Sequence, residues 1–78
     1  MRLSREQRRV LRELAESPRG VSEEVLIIMR GFSVDMLAGL VLAGLAIVVT
    51  ETKTVGHGLT IEVERYRITD DGRKAIQA

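Results

Sequence analysis

The spacing of apolar positions changes at Gly44. Before it, Val10, Leu11, Leu14 and Ala15 recur at helical intervals behind Ser4 and Gln7, an S-x-x-Q pair with the form of a capping box, so a helix is expected over about 5–16. Ser17-Pro18-Arg19-Gly20 has turn composition. Ser22 ahead of Glu23-Glu24 is a second N-cap with acids where a helix dipole favours them, which predicts a helix over about 23–30, stopped by Gly31. Phe32 makes a short hydrophobic link, Ser33 caps again, and a third helix is expected over about 34–43. Two helices joined so closely form a helix-turn-helix.

After Gly44 the chain is rich in Val, Ile and Thr. Two strands are expected, over about 46–54 and 60–68, paired antiparallel around Val55-Gly56-His57-Gly58-Leu59, whose glycines suit a hairpin tip. Apolar residues on both faces leave the register weakly fixed. Thr69 before Asp70-Asp71 starts a last short helix over about 70–77, completed by Arg73, Lys74, Ala75 and Ile76. The expected order is helix, helix, helix, strand, strand, helix in one domain, 1–78, of class α+β.

The stretch Met36–Val49, MLAGLVLAGLAIVV, is fourteen residues without a polar side chain. A transmembrane helix needs about 20, and runs of about 10 to 14 are more often buried core. Gly44 divides this run, and Ile47-Val48-Val49 is β-branched, so it reads as a helix followed by a strand and no membrane role is expected.

With those elements placed, the chain resembles the winged helix-turn-helix proteins, a family that includes many bacterial transcription regulators. The resemblance spans nearly all 78 residues. It is carried by Leu40-Val41-Leu42-Ala43-Gly44-Leu45, where the family's recognition helix enters the wing, and by Tyr66-Arg67-Ile68-Thr69-Asp70-Asp71-Gly72-Arg73, where the wing returns to the core and caps the closing helix. It implies a three-helix core, a two-stranded antiparallel wing and a short C-terminal helix, with the third helix in the DNA major groove.

The residues of that third helix fit a reader of bases poorly. At about 100° per residue, Met36, Leu37, Leu40 and Ala43 fall on one arc facing the core, with Val41 at its margin. The opposite arc holds Val34, Asp35, Ala38, Gly39 and Leu42, none of which can make the bidentate contact that is worth roughly 1–3 kcal/mol of base discrimination. Glu23 and Glu24 further disfavour phosphate at the start of helix two.

Positive charge lies elsewhere. Arg5, Arg8, Arg9 and Arg12 recur at i, i+3, i+4 and i+7 on the face of helix one opposite Val10, Leu11 and Leu14. Four phosphate contacts there would give a log K against log salt slope of about −3.6. The same stripe, with Glu13 and Glu16 close by, also reads as a solvated face. The wing offers Lys53, His57, Arg65 and Arg67, the two arginines on one strand face and Tyr66 with Ile68 on the other, pointing inward. These residues, with Ser33 at the start of helix three, are the DNA-contact candidates; the wing arginines are the better ones.

Composition removes several classes of function. Zero cysteines exclude disulfides, thiolate metal sites and a cysteine nucleophile. A single histidine makes no metal site, Gly56-His57-Gly58 is too short for a phosphate loop, and Ser4, Ser22 and Ser33 are spent on caps. Glu62 and Glu64 follow from alternation along a strand. No catalytic residue, cofactor or small-molecule ligand is expected, and the chain reads as a non-enzyme. Twelve basic and eleven acidic residues nearly cancel, so any attraction to DNA must be local. The start, MRLSREQRR, is followed by no apolar segment of a secretion signal, and a cytoplasmic protein of bacterial type is expected.

A chain this short buries only about 60% of the surface that it exposes when unfolded, so its stability margin is thin. Yet Ile47, Val48 and Val49 make both faces of one strand apolar, and Val55, Leu59, Ile61 and Val63 exceed what three helices can cover. Val34, Ala38, Leu42, Ile47, Val49, Ile61 and Val63 are therefore candidates for an interface with a protein partner or a second copy. Two functions stand: a DNA-associated regulator, implied by the resemblance, and a protein-interaction or homodimerisation module, favoured by the residues.

Overall fold

In the computed structural model, which describes residues 2–77, the change of pattern at Gly44 becomes a change from helices to sheet. Helix α1 (Arg5–Ala15) starts on the expected capping box: Gln7 N donates to Ser4 Oγ at 3.1 Å and Ser4 N donates to Gln7 Oε1 at 2.8 Å. It buries Val10, Leu11 and Leu14. The turn after it closes with Gly20 N donating to Ser17 O at 2.8 Å.

Among the described residues the sheet has three strands, not the two expected. Strand β1 (Val21–Ser22) precedes the hairpin strands β2 (Ala46–Thr54) and β3 (Thr60–Ile68), in the order β1-β3-β2, all antiparallel. Val21 lies opposite Tyr66 and Ser22 opposite Arg65. Two residues are too few to show an alternation; Gly20 is what admits them. At φ 92°, its bare Cα lies so close to β3 that a Cβ there would meet Tyr66 O at 2.8 Å.

The second helix also differs from expectation. Ser22 Oγ accepts from Val25 N at 3.3 Å, but the segment Val25–Met29 is π-helical, with Arg30 N donating to Val25 O at 3.1 Å. The wider turn buries Leu26 and rotates Met29 further from it, leaving Ile28 and Met29 72% and 76% exposed. Glu23 and Glu24 are α-helical ahead of this segment, so helical backbone runs over 23–29, close to the expected span, and the left-handed Gly31 ends it; the difference lies in the winding.

Helix α2 (Val34–Leu42) is capped by Ser33, whose Oγ accepts from Met36 N at 3.1 Å. Leu37 and Leu40 are buried, whereas Ala43, expected on the same arc, is exposed. Its place is taken by Leu45. Gly44, at φ 78°, reverses the chain in a Schellman closure in which Gly44 N donates to Val41 O and Leu45 N to Leu40 O, each at 3.0 Å. Leu45 is thereby folded back into the core.

The hairpin register is continuous from Ala46 opposite Ile68 to Thr54 opposite Thr60. Gly56, His57 and Gly58 are all left-handed at the tip, which accounts for the two glycines. Helix α3 (Asp70–Ile76) packs against α1. The core is formed by Leu11, Leu14, Leu26, Leu37 and Leu40 with Phe32, Leu45, Ala46 and Tyr66 around them. It ends partway along the hairpin, because every residue from 50 to 62 is exposed. The radius of gyration, 13.3 Å, accordingly exceeds the roughly 11.5 Å of a compact chain of this length, and the longest dimension is 48 Å.

Candidate functional site

Helix α2 divides as its periodicity requires. Leu37 and Leu40 go to the core, and Val34, Asp35, Ala38 and Leu42 face outward, Leu42 at 89% exposure. The outward side carries a carboxylate and apolar groups, and no side-chain hydrogen-bond donor. The Ser33 hydroxyl accepts from Met36 N, so its oxygen already has a partner.

Residues directly opposite in an antiparallel pair share a face. The register therefore puts Ile47, Val49, Glu51 and Lys53 of β2 on one face with Arg67, Arg65, Val63 and Ile61 of β3. This is the outer face, since Tyr66, Ala46 and Ile68 on the other pack into the core. Four of the expected interface residues, Ile47, Val49, Ile61 and Val63, thus come together with three of the expected DNA-contact residues, Lys53, Arg65 and Arg67. An apolar diagonal crosses the face, with charge at its corners.

An open groove of about 770 Å³ runs over this face, lined by Arg19, Lys53, Arg65 and Arg67 around Val49 and Glu51. Arg65 Nε donates to Glu51 Oε2 at 2.5 Å. That hydrogen bond, and then the guanidinium charge, holds the Glu51 carboxyl below the usual carboxylate range. Arg19 was not among the sequence candidates. Its turn is brought against β3 by Gly20, and nothing in the spacing of charges along the chain announces that contact. A second groove, of about 440 Å³, is acidic: Glu23, Glu24, Glu62 and Glu64 line it beside Ile61 and Val63. At Glu23, Tyr66 OH donates to Oε1 at 3.3 Å, and burial, followed by the charge of Glu23, pushes the Tyr66 hydroxyl up from its ordinary value.

The remaining basic candidates lie apart from the groove. Arg5, Arg9 and Arg12 are exposed on α1 and Arg8 is half-buried. The Arg9 guanidinium sits 5.8 Å from the centroid of the Phe32 ring, and the α1 carboxylate of Glu13 pairs with Arg30 at 3.3 Å. His57 is exposed at the hairpin tip. Val34, Ala38 and Leu42 form a separate exposed stripe on α2. Among the described residues, no helix is long and apolar enough to cross a membrane, and no group of three or more His, Asp or Glu is placed to hold a metal ion. No family model, curated protein or solved structure matches the chain.

Proposed function

We propose that this chain is a non-catalytic, cytoplasmic winged-helix module that acts through contacts with protein. Its element order supports the winged-helix reading: helix, short strand, helical turn, helix and hairpin, with β1 at the hairpin base and α3 closing the domain. The observation that carries the protein-contact reading is the outward side of α2, where Val34, Ala38 and Leu42 stand exposed and no side chain can donate to a base edge. An exposed apolar stripe of this kind suits a protein surface and contributes nothing to phosphate binding.

Titration of mixed-sequence duplex DNA, followed by fluorescence anisotropy from low to physiological salt, tests the reading. No binding is expected even at low salt; binding there would overturn it. A second reading has its own support in the groove of Arg19, Lys53, Arg65 and Arg67. These cations would hold a DNA backbone without reading sequence, in DNA-associated transcriptional regulation. In that case Arg65→Ala with Arg67→Ala would weaken binding equally across sequences and flatten its salt dependence.

A further inference from the structure

We infer that the partner is a second copy of this chain, joined edge to edge through β2 in an antiparallel pairing centred on Thr52. This goes beyond the protein-contact reading above and is argued from a different surface. In the strand order β1-β3-β2, strand β2 has, among the described residues, a neighbour on one side only, and its outer half, residues 50–54, is exposed. An uncovered strand edge is a row of backbone donors and acceptors awaiting another strand.

The side chains on this edge specify which strand. Residues 50–54 read Thr-Glu-Thr-Lys-Thr, a sequence that is charge-complementary to its own reversal. Pairing centred on Thr52 sets Glu51 opposite Lys53 of the second copy, and the symmetric pair repeats it. Thr50 meets Thr54 twice, and Val49 meets Val55 at either end. Both ion pairs lie on the outer sheet face, because Glu51 and Lys53 share it. Glu51 would then bridge Arg65 of its own chain and Lys53 of the other.

Neighbouring registers lack this complementarity. Centring on Glu51 sets that carboxylate against itself, and centring on Lys53 does the same for the ammonium; like charges directly opposite are destabilising. The other free edge, β3 beyond its contact with β1, runs beside Glu23, Glu24, Glu62 and Glu64, so its self-pairing would crowd carboxylates. Pairing β2 of one copy with β3 of the next would be head-to-tail and would build a ring or an open polymer, whereas β2 with β2 closes as a dimer on a two-fold axis.

Charge exchange tests the pairing on the full chain, with circular dichroism confirming that each variant is folded. Sedimentation equilibrium should show a dimer for the native chain. Lys53→Glu and Glu51→Lys should each weaken self-association by roughly tenfold, as two attractive pairs become two repulsive ones. Lys53→Glu leaves the Arg65–Glu51 pair in place, so its effect cannot come from losing that pair. An equimolar mixture of the two variants should recover association, as a heterodimer, because each strand then faces its opposite charge. Because the chain has no native cysteine, Thr52→Cys should give a covalent dimer under mild oxidation, and Thr50→Cys, displaced from the axis, much less.

A monomer at high micromolar concentration, a dimer indifferent to both charge variants, a mixture that fails to recover, or growth into polymers would each overturn the assignment. The two readings fail separately. DNA binding at low salt would remove the protein-contact reading and leave the dimer standing; a monomer that ignores DNA would remove only the dimer.

Discussion

The Thr69 hydroxyl donates to the Gly44 carbonyl at 2.7 Å, across 25 positions of chain, while accepting from Gly72 N at 3.0 Å. One side chain thus ties the end of α2 to the start of α3. Thr69 N adds a bond to Leu45 O at 3.1 Å, so the exit of the hairpin is fastened to its entrance. Thr69→Val keeps the shape and loses both hydroxyl bonds, and should cost about 0.5–2 kcal/mol, the range for a lost N-cap. Thr69→Ser should stay close to wild type. Urea unfolding of the three proteins measures the difference.

Gly72→Ala would ordinarily stabilise a helix. Here the new methyl would sit 2.2 Å from Leu45 O and 2.7 Å from Ile68 Cγ1, and backbone is what must yield. Overpacking typically costs about 1–3 kcal/mol, more than the helix propensity gained, so the variant should be less stable. A thermal midpoint at or above wild type would contradict the close approach of α3 to Leu45.

Tyr66 links sheet and helical turn through Glu23, and is only 5% exposed. Its folded-state pKa is raised above the ordinary 10.0, so the unfolded chain ionises first as pH rises. Its contribution to stability is therefore fully present below about 10 and is lost as pH climbs through the folded value. Tyr66→Phe should cost about 0.5–1.5 kcal/mol at neutral pH, by loss of the hydrogen bond, and should flatten the alkaline decline. Thermal unfolding between pH 8 and 11 supplies both readouts.

Glu51 runs in the opposite sense. Hydrogen bonding and charge from Arg65 hold its pKa below the ordinary 4.5, so its contribution is present above that pH and disappears as pH falls through the lowered value. Glu51→Gln should be slightly less stable than wild type at pH 6 and indistinguishable from it once both are acidified. Urea midpoints measured from pH 6 down to pH 2 should converge, and high salt should shrink the gap, as expected for an exposed pair.

Helix α2 offers a contrast between its two sides. Leu37→Ala removes a fully buried side chain and should cost about 2–5 kcal/mol, while Leu42→Ala removes one standing in solvent and should change stability by less than about 0.5 kcal/mol. If Leu42 serves an interface instead, its loss should appear as weaker association at unchanged unfolding free energy, which sedimentation and urea unfolding distinguish.

Much of this protein was legible in its residues because the deciding forces are local. Ser4 with Gln7, Ser33, and Thr69 satisfy helix N–H groups within three positions of themselves, so the starts of α1, α2 and α3 follow from the chain alone. Gly44 and the Gly56–Gly58 tip follow from the same kind of reasoning, since left-handed backbone strongly favours glycine. The alternation of Arg65, Tyr66, Arg67 and Ile68 placed Tyr66 inward, because side chains along a strand take opposite faces in turn.

The rest depended on groups far apart in sequence. Strand β1 exists because Gly20 lets two residues lie against Tyr66 and Arg65, more than forty positions away, and no two-residue pattern can encode that pairing. Leu45 displaced Ala43 in the core because the Schellman turn at Gly44 redirected the chain, a change that helical periodicity cannot carry past a helix end. Arg19 joined Lys53, Arg65 and Arg67 only when the turn folded onto the sheet. The apolar candidates were nameable from composition, but their division between an α2 stripe and an outer sheet face required the register. Local hydrogen bonds and backbone preferences act within a few residues and are written in the order of the chain; shared surfaces are made by burial and strand pairing, which act through space.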